Sequence, residues 1–99
     1  MTLSDLRRWP DIARKVKEVV KRVDPNARVY VFGSVVRGDF TATSDIDILV
    51  VTNDLRKKYE VMVEVYREVD APVELHVVTE DLMKRWYLRF IRKEEIVEV

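Results

Sequence analysis

Cysteine is absent from this chain, which excludes a disulfide framework and any thiolate metal site. No run of apolar residues approaches the ~20 needed to span a bilayer. No apolar leader precedes the charged Arg7-Arg8 pair, so the expectation is a cytoplasmic location with no membrane partner. An excess of one charge sign is also missing, since 18 basic and 18 acidic residues cancel. A chain whose main task is coating nucleic acid carries a basic excess, so nucleic acid is not the expected direct partner. Glycine is scarce: Gly33 and Gly38 are the only two in 99 residues. A chain this sparing of glycine keeps it where the backbone requires it.

What is present describes a globular chain. Hydrophobic residues make up 47% and charged residues 36%, a balance that buries a core and is not that of disorder. The length suits one domain, taken as residues 1–99, with a modest stability margin.

Apolar positions Ile12, Val16, Val19, Val20 and Val23 draw one stripe along a helix from Pro10 to Val23, with Lys15, Lys17, Glu18, Lys21 and Arg22 opposite. Before it, Ser4 is a candidate cap for a short turn. Asp24-Pro25-Asn26 ends the helix. Arg28 to Phe32 reads as a strand that runs directly into Gly33-Ser34, with residues 34–38 as a helical turn or tight loop. After a polar loop, Ile46 to Thr52 is a second strand. Its end, Ile48-Leu49-Val50-Val51, is apolar on both faces, as a covered central strand would be.

Asn53-Asp54 caps a second helix whose expected buried stripe is Leu55, Tyr59, Met62, Val63, Tyr66 and Val69. Asp70-Ala71-Pro72 stops it. Val73 to Thr79 is a third strand with Glu74 and His76 on one face and Val73, Leu75 and Val77 on the other. Thr79 caps a last helix over 80–92 that is dense in aromatics, and residues 95–99 alternate as an edge strand would. The order predicts an α/β (α+β) fold: a small three- to four-stranded mixed sheet with helices packed on one face, the other face free where the aspartates sit.

The chemistry concentrates in Gly33-Ser34-Val35-Val36-Arg37-Gly38 and Ser44-Asp45-Ile46-Asp47. Two carboxylates at i and i+2 on a strand point to one face, with Cα atoms about 6.5–7 Å apart. From that spacing they can converge on hard cations such as Mg²⁺, which favour carboxylate oxygens plus substrate phosphates. Glycine lets the backbone approach an anion, and the Ser34 hydroxyl and the amides of the next turn can donate to phosphate oxygens. Arg37 could grip a phosphate bidentately. Two rivals fail by residue. An EF-hand loop starting at Asp45 would put Leu49 and Val50 where a ligand and a glycine are required. A phosphate loop starting at Gly33 would need lysine after Gly38, where Asp39 and Phe40 stand.

Gly-Ser, ten intervening residues and Asp-x-Asp resembles the signature of the DNA polymerase β-like nucleotidyltransferase superfamily. Arg37-Gly38 and Ser44 also resemble it, and the resemblance covers roughly residues 10–80. The shortness of the chain is similar to the minimal nucleotidyltransferase (MNT) branch, whose members are often antitoxins encoded beside a helical HEPN-type RNase toxin. The resemblance implies that Asp45 and Asp47 ligate two Mg²⁺ ions and that Gly33 and Ser34 hold the β/γ-phosphates of a nucleotide, with Arg37 and Ser44 assisting. It implies a third carboxylate on a later strand, for which Glu74 is the best match, as metal ligand or proton acceptor. Glutamate there departs from the usual aspartate by one methylene. The implied reaction is transfer of AMP from ATP to a hydroxyl, with a tyrosine of a HEPN toxin as acceptor and a partner or second copy completing the surface. Two alternatives stand beside it: an antitoxin that neutralises its partner by docking alone, and transfer to a small molecule. His76 reads first as a structural histidine, and Trp86, Tyr87 and Phe90 as core or partner surface.

Overall fold

The protein is described by a computed structural model covering residues 6–99; the expected Ser4 cap lies outside the described residues. Helix α1 spans Trp9–Val23 with Pro10 in its first turn, where a missing N–H costs nothing. It buries Ala13, Val16, Val19 and Val20, with Ile12 and Val23 packed at the margin. Its end is fixed by Asp24, a buried carboxylate that accepts hydrogen bonds from the Thr52 hydroxyl at 2.6 Å and the Asn26 amide at 3.1 Å. A buried carboxylate is tolerable only with such partners, and this one ties the helix to the end of a central strand.

Strand β1 (Arg28–Phe32) leads into the four-residue helix α2 (Ser34–Arg37), then β2 (Ile46–Val51). A 3₁₀ turn, Leu55–Lys57, capped by the Asp54 carboxylate, opens α3 (Lys58–Glu68). Strand β3 (Val73–Val78) follows. The last helical segment is not regular: short α4 (Glu80–Leu82), a widened π turn (Met83–Tyr87) and short α5 (Leu88–Phe90). A 3₁₀ turn, Lys93–Glu95, delivers β4 (Ile96–Glu98).

The sheet is mixed and four-stranded, in the order β3-β2-β1-β4. β1 pairs antiparallel with β2 and β4, and β2 pairs parallel with β3 through the α3 crossover. The expected edge strand is therefore β4. Alternation sends Val29, Val31, Ile46, Ile48, Val50, Val73, Leu75 and Val77 under α1 and α3, where they form the main core. Leu49 and Val51 face the other way and meet Val78, Met83, Phe32 and Tyr87 in a second cluster. Both faces of β2 are thus covered over its latter half, as its apolar run requires. The two long helices lie on the expected face, and the C-terminal segment covers part of the opposite one. The end of that opposite face that carries Asp47 and Glu74 stays accessible, with Asp47 partly buried and Glu74 exposed.

The buried stripe of α3 differs from the expected one. Val61 and Val65 face the core beside Val69, which was expected there, and Met62 packs at its margin, while Leu55, Tyr59, Val63 and Tyr66 are exposed. The helix is apolar on two sides, and the narrow β-branched stripe is the one that lets it lie close on the sheet and α1. Tyr66 serves instead at the edge of the sheet, where its hydroxyl accepts the Leu75 amide at 3.1 Å. This assignment separates two substitutions. Val61→Ala removes two fully buried carbons and is expected to cost about 2 kcal/mol with its cavity. Tyr59→Ala, at a residue 78% exposed, should change stability by less than about 0.5 kcal/mol. Chemical denaturation of both variants reads the difference, and equal losses would return the expected stripe.

Candidate active site

Strand register builds the site. Phe32, Asp47 and Glu74 lie side by side across β1, β2 and β3, and Tyr30, Leu49 and His76 form the next row on that face. The α2 turn rises from the end of β1 beside Asp47. Gly33 has φ +87°, a conformation L side chains rarely adopt, and a Cβ built on it would lie 2.6 Å from Asp47 Oδ2. The glycine foreseen as allowing an anion near the backbone does so for an anion of the chain itself. Its carbonyl accepts from the Val36 and Arg37 amides at 3.2 and 3.1 Å, and its own amide donates to the Glu95 carbonyl at 3.2 Å. The turn is therefore pinned to the segment before β4. Gly38, at φ +85°, closes α2 with open space around it.

Asp47 is the centre of the electrostatics. Its side chain is only 25% exposed, and burial pushes its carboxyl from 3.8 up to about 6. The adjoining Glu74 carboxyl and the charge of Asp45 push the same way, while Arg37 opposes them. Asp47, Glu74 and His76 each place a donor atom within 4.8 Å of the others. His76 Nε2 is 4.0 Å from Asp47 Oδ1 and 3.8 Å from Glu74 Oε1, and its Nδ1 lies 3.3 Å from the Tyr87 hydroxyl. Phe32 and Tyr87 pack on the imidazole with ring centroids 5.5 and 5.6 Å away.

The other predicted residues are placed as follows. Asp45 precedes β2, is exposed, and stands outside the three-residue cluster, though its charge is felt at Asp47. Ser34 opens α2 and is partly buried. Arg37 pairs with Asp39 at 3.2 Å and Glu95 at 3.6 Å. Ser44 Oγ accepts the Thr41 amide at 2.9 Å, so its hydroxyl braces the loop before Asp45. His76 and Tyr87 are the residues that sequence reasoning left outside the site. The available signal was that His76 shares the face of Glu74 two positions away. The donor set of carboxylates suits a hard divalent cation, and the raised Asp47 carboxyl is relieved by one.

Residues 13–99 match the nucleotidyltransferase domain family. The chain belongs to that family. As a nucleotidyltransferase domain it is similar to the crystal structure of a presumptive nucleotidyltransferase at 33% identity and a TM-score of 0.70, covering 87% of this chain and 95% of that one. It is also similar to a presumptive nucleotidyltransferase from Sulfolobus solfataricus at 30% identity and a TM-score of 0.68, covering 97% and 83%. A cytoplasmic RNA terminal U-transferase shares the fold at 16% identity and a TM-score of 0.61, the match covering 78% of this chain and 30% of that one. No curated protein sequence matches the chain. Among the described residues no helix is long and apolar enough to cross a membrane.

Two outcomes follow for this nucleotidyltransferase. Gly33→Ala suffers both the positive φ and the contact with Asp47, and should lose about 1–3 kcal/mol. In the Asp47→Ala background the contact disappears and only the φ cost remains, so a double-mutant cycle by thermal or chemical denaturation should show coupling. Additive losses would mean that the two residues do not meet. The second outcome concerns pH. Below about pH 4 Asp47 is protonated in the folded and unfolded chain alike, and its effect on stability is nil. Between about 4 and 6 the unfolded chain gives up this proton first, so stability falls as pH rises, and above about 6 the loss is complete. Metal-free protein should therefore lose Tm across that window relative to Asp47→Asn, and a divalent cation at pH 7.5 should restore it in the wild type alone. Parallel pH profiles for the two proteins would contradict this.

Proposed function

We propose that this domain, taken as a single minimal unit of 99 residues, is a cytoplasmic Mg²⁺-dependent nucleotidyltransferase. It transfers a nucleoside monophosphate, AMP from ATP, to a hydroxyl on a partner protein, a tyrosine of a helical HEPN-type toxin that it thereby restrains as an antitoxin. The observation that supports the reading is the close approach of the Gly33 turn to Asp47, whose carboxylate oxygen lies 2.6 Å from where a Cβ on Gly33 would stand. Ser34 presents its amide and hydroxyl to the β- and γ-phosphates, and Gly33, whose own amide is held by the Glu95 carbonyl, lets the turn approach them. Asp45, Asp47 and Glu74 are the residues that would hold the cations. When bound, Mg²⁺ neutralises charge on the phosphates and polarises the phosphorus centre.

The acceptor oxygen attacks the α-phosphorus, the bond from the α-phosphorus to the bridging β-phosphate oxygen breaks, pyrophosphate leaves, and the hydroxyl proton passes to a carboxylate, the role proposed for Glu74. Arg37 must exchange its present carboxylate partners for a phosphate, and Ser44 contributes by holding the loop that sets Asp45. A partner or a second copy supplies the rest of the acceptor surface.

A different observation favours the docking alternative. Trp86 and Phe90 stack at 6.5 Å and are 58% and 75% exposed, on the rim of a groove of about 430 Å³ lined also by Phe32, Leu82, Tyr87 and Ile91. Exposed aromatics of this kind are interface-forming. One experiment separates the readings: the protein is incubated with α-labelled ATP, Mg²⁺ and the product of the adjacent gene. Label should move to the partner and fall by about a hundredfold or more in Asp47→Asn. No transfer, with neutralisation surviving Asp45→Asn combined with Asp47→Asn, supports docking.

A further inference from the structure

The imidazole of His76 stands beside two carboxylates without a direct hydrogen bond to either. Nε2 lies 4.0 Å from Asp47 Oδ1 and 3.8 Å from Glu74 Oε1, too far for direct hydrogen bonds, which need about 2.7–3.2 Å. Two donors that share one ion at about 2.0–2.2 Å each are at most about 4.4 Å apart. The observed gaps fall inside that limit. The ring is also held in one orientation. Phe32 and Tyr87 pack against it, and the Tyr87 hydroxyl lies 3.3 Å from Nδ1. Nε2 is the ring nitrogen on the carboxylate side, and a hydrogen-bonding partner on the second ring nitrogen is what ligating histidines have; a metal at Nε2 requires the tautomer in which Nδ1–H donates to the Tyr87 oxygen. The widened turn over Met83–Tyr87 is the device that brings Tyr87 there.

We propose that His76 Nε2 is a metal ligand beside Asp47 and Glu74, and that the imidazole raises the affinity of the site for first-row transition ions of the Mn²⁺ or Zn²⁺ class above what the carboxylates that take Mg²⁺ would give alone. Carboxylates alone favour hard ions, and adding imidazole moves the balance toward transition metals. The inference deepens the proposed function and rests on it for the purpose of the site. Its test reads ligation directly and needs no transfer activity, so the two can fail separately.

His76 is the only histidine in the chain, and nitrogen-15 NMR of the labelled imidazole reports on it without ambiguity. In wild-type protein one equivalent of Zn²⁺ should shift Nε2 while Nδ1 keeps its proton, and Mg²⁺ at the same concentration should leave both in place. Calorimetry should show His76→Gln losing about tenfold or more in Zn²⁺ affinity with little change for Mg²⁺, and Tyr87→Phe losing a smaller part. Asp47→Asn should abolish the Nε2 shift. An Nε2 signal unmoved at Zn²⁺ saturation overturns the proposal. So does a shift that persists in Asp47→Asn combined with Glu74→Gln, since the imidazole would then be binding alone, and so does equal Zn²⁺ affinity in wild type and His76→Gln.

Discussion

One close approach organises this molecule: a carboxylate set against a glycine backbone. Asp47 reaches to within the space that a side chain on Gly33 would occupy, and the turn accepts it only because its φ is positive and no Cβ is present. Charge repulsion makes the arrangement costly in the metal-free state, since Glu74 and Asp45 add negative potential to a carboxyl that burial has already displaced. Carboxyls displaced in this way cluster at functional sites.

The sheet supplies the precision. The row Phe32–Asp47–Glu74 spans three strands, and the next row on the same face places His76 beside Leu49. A slip of one residue in any pairing would turn these groups into the helix-covered core. Ile46, Ile48 and Val50, fully buried on the reverse face, oppose that slip, so the hydrophobic alternation of β2 also fixes the chemistry. The α2 turn is held from a distant part of the chain, through the Gly33 amide on the Glu95 carbonyl and Arg37 on the Glu95 carboxylate. The last residues of the chain thereby complete both the sheet and the turn.

Much of this was legible in the sequence. Gly33-Ser34 and Asp45-Ile46-Asp47 stood out because glycine is otherwise almost absent, and strand alternation put Glu74 on the face it occupies. Three features were not legible, for physical reasons. Helix α3 carries two apolar stripes, and propensity does not say whether tyrosines or valines will pack against a nearby sheet. The π turn at Met83–Tyr87 sets Met83 and Tyr87 on the second cluster, and a regular helical period could not show that Tyr87 meets His76. Asp45 was read as equivalent to Asp47, but β2 begins at Ile46. Strand geometry therefore governs only the second aspartate, and the loop braced by Ser44 governs the first.

The most direct check on this account is a carbon-13 carboxyl titration of Asp47, observed by NMR first without metal and then with Mg²⁺ present. The account predicts a midpoint near 6 in the metal-free protein and a fall of the midpoint well below its ordinary value once the cation is added. An ordinary midpoint near 3.8 that does not respond to Mg²⁺ would contradict it.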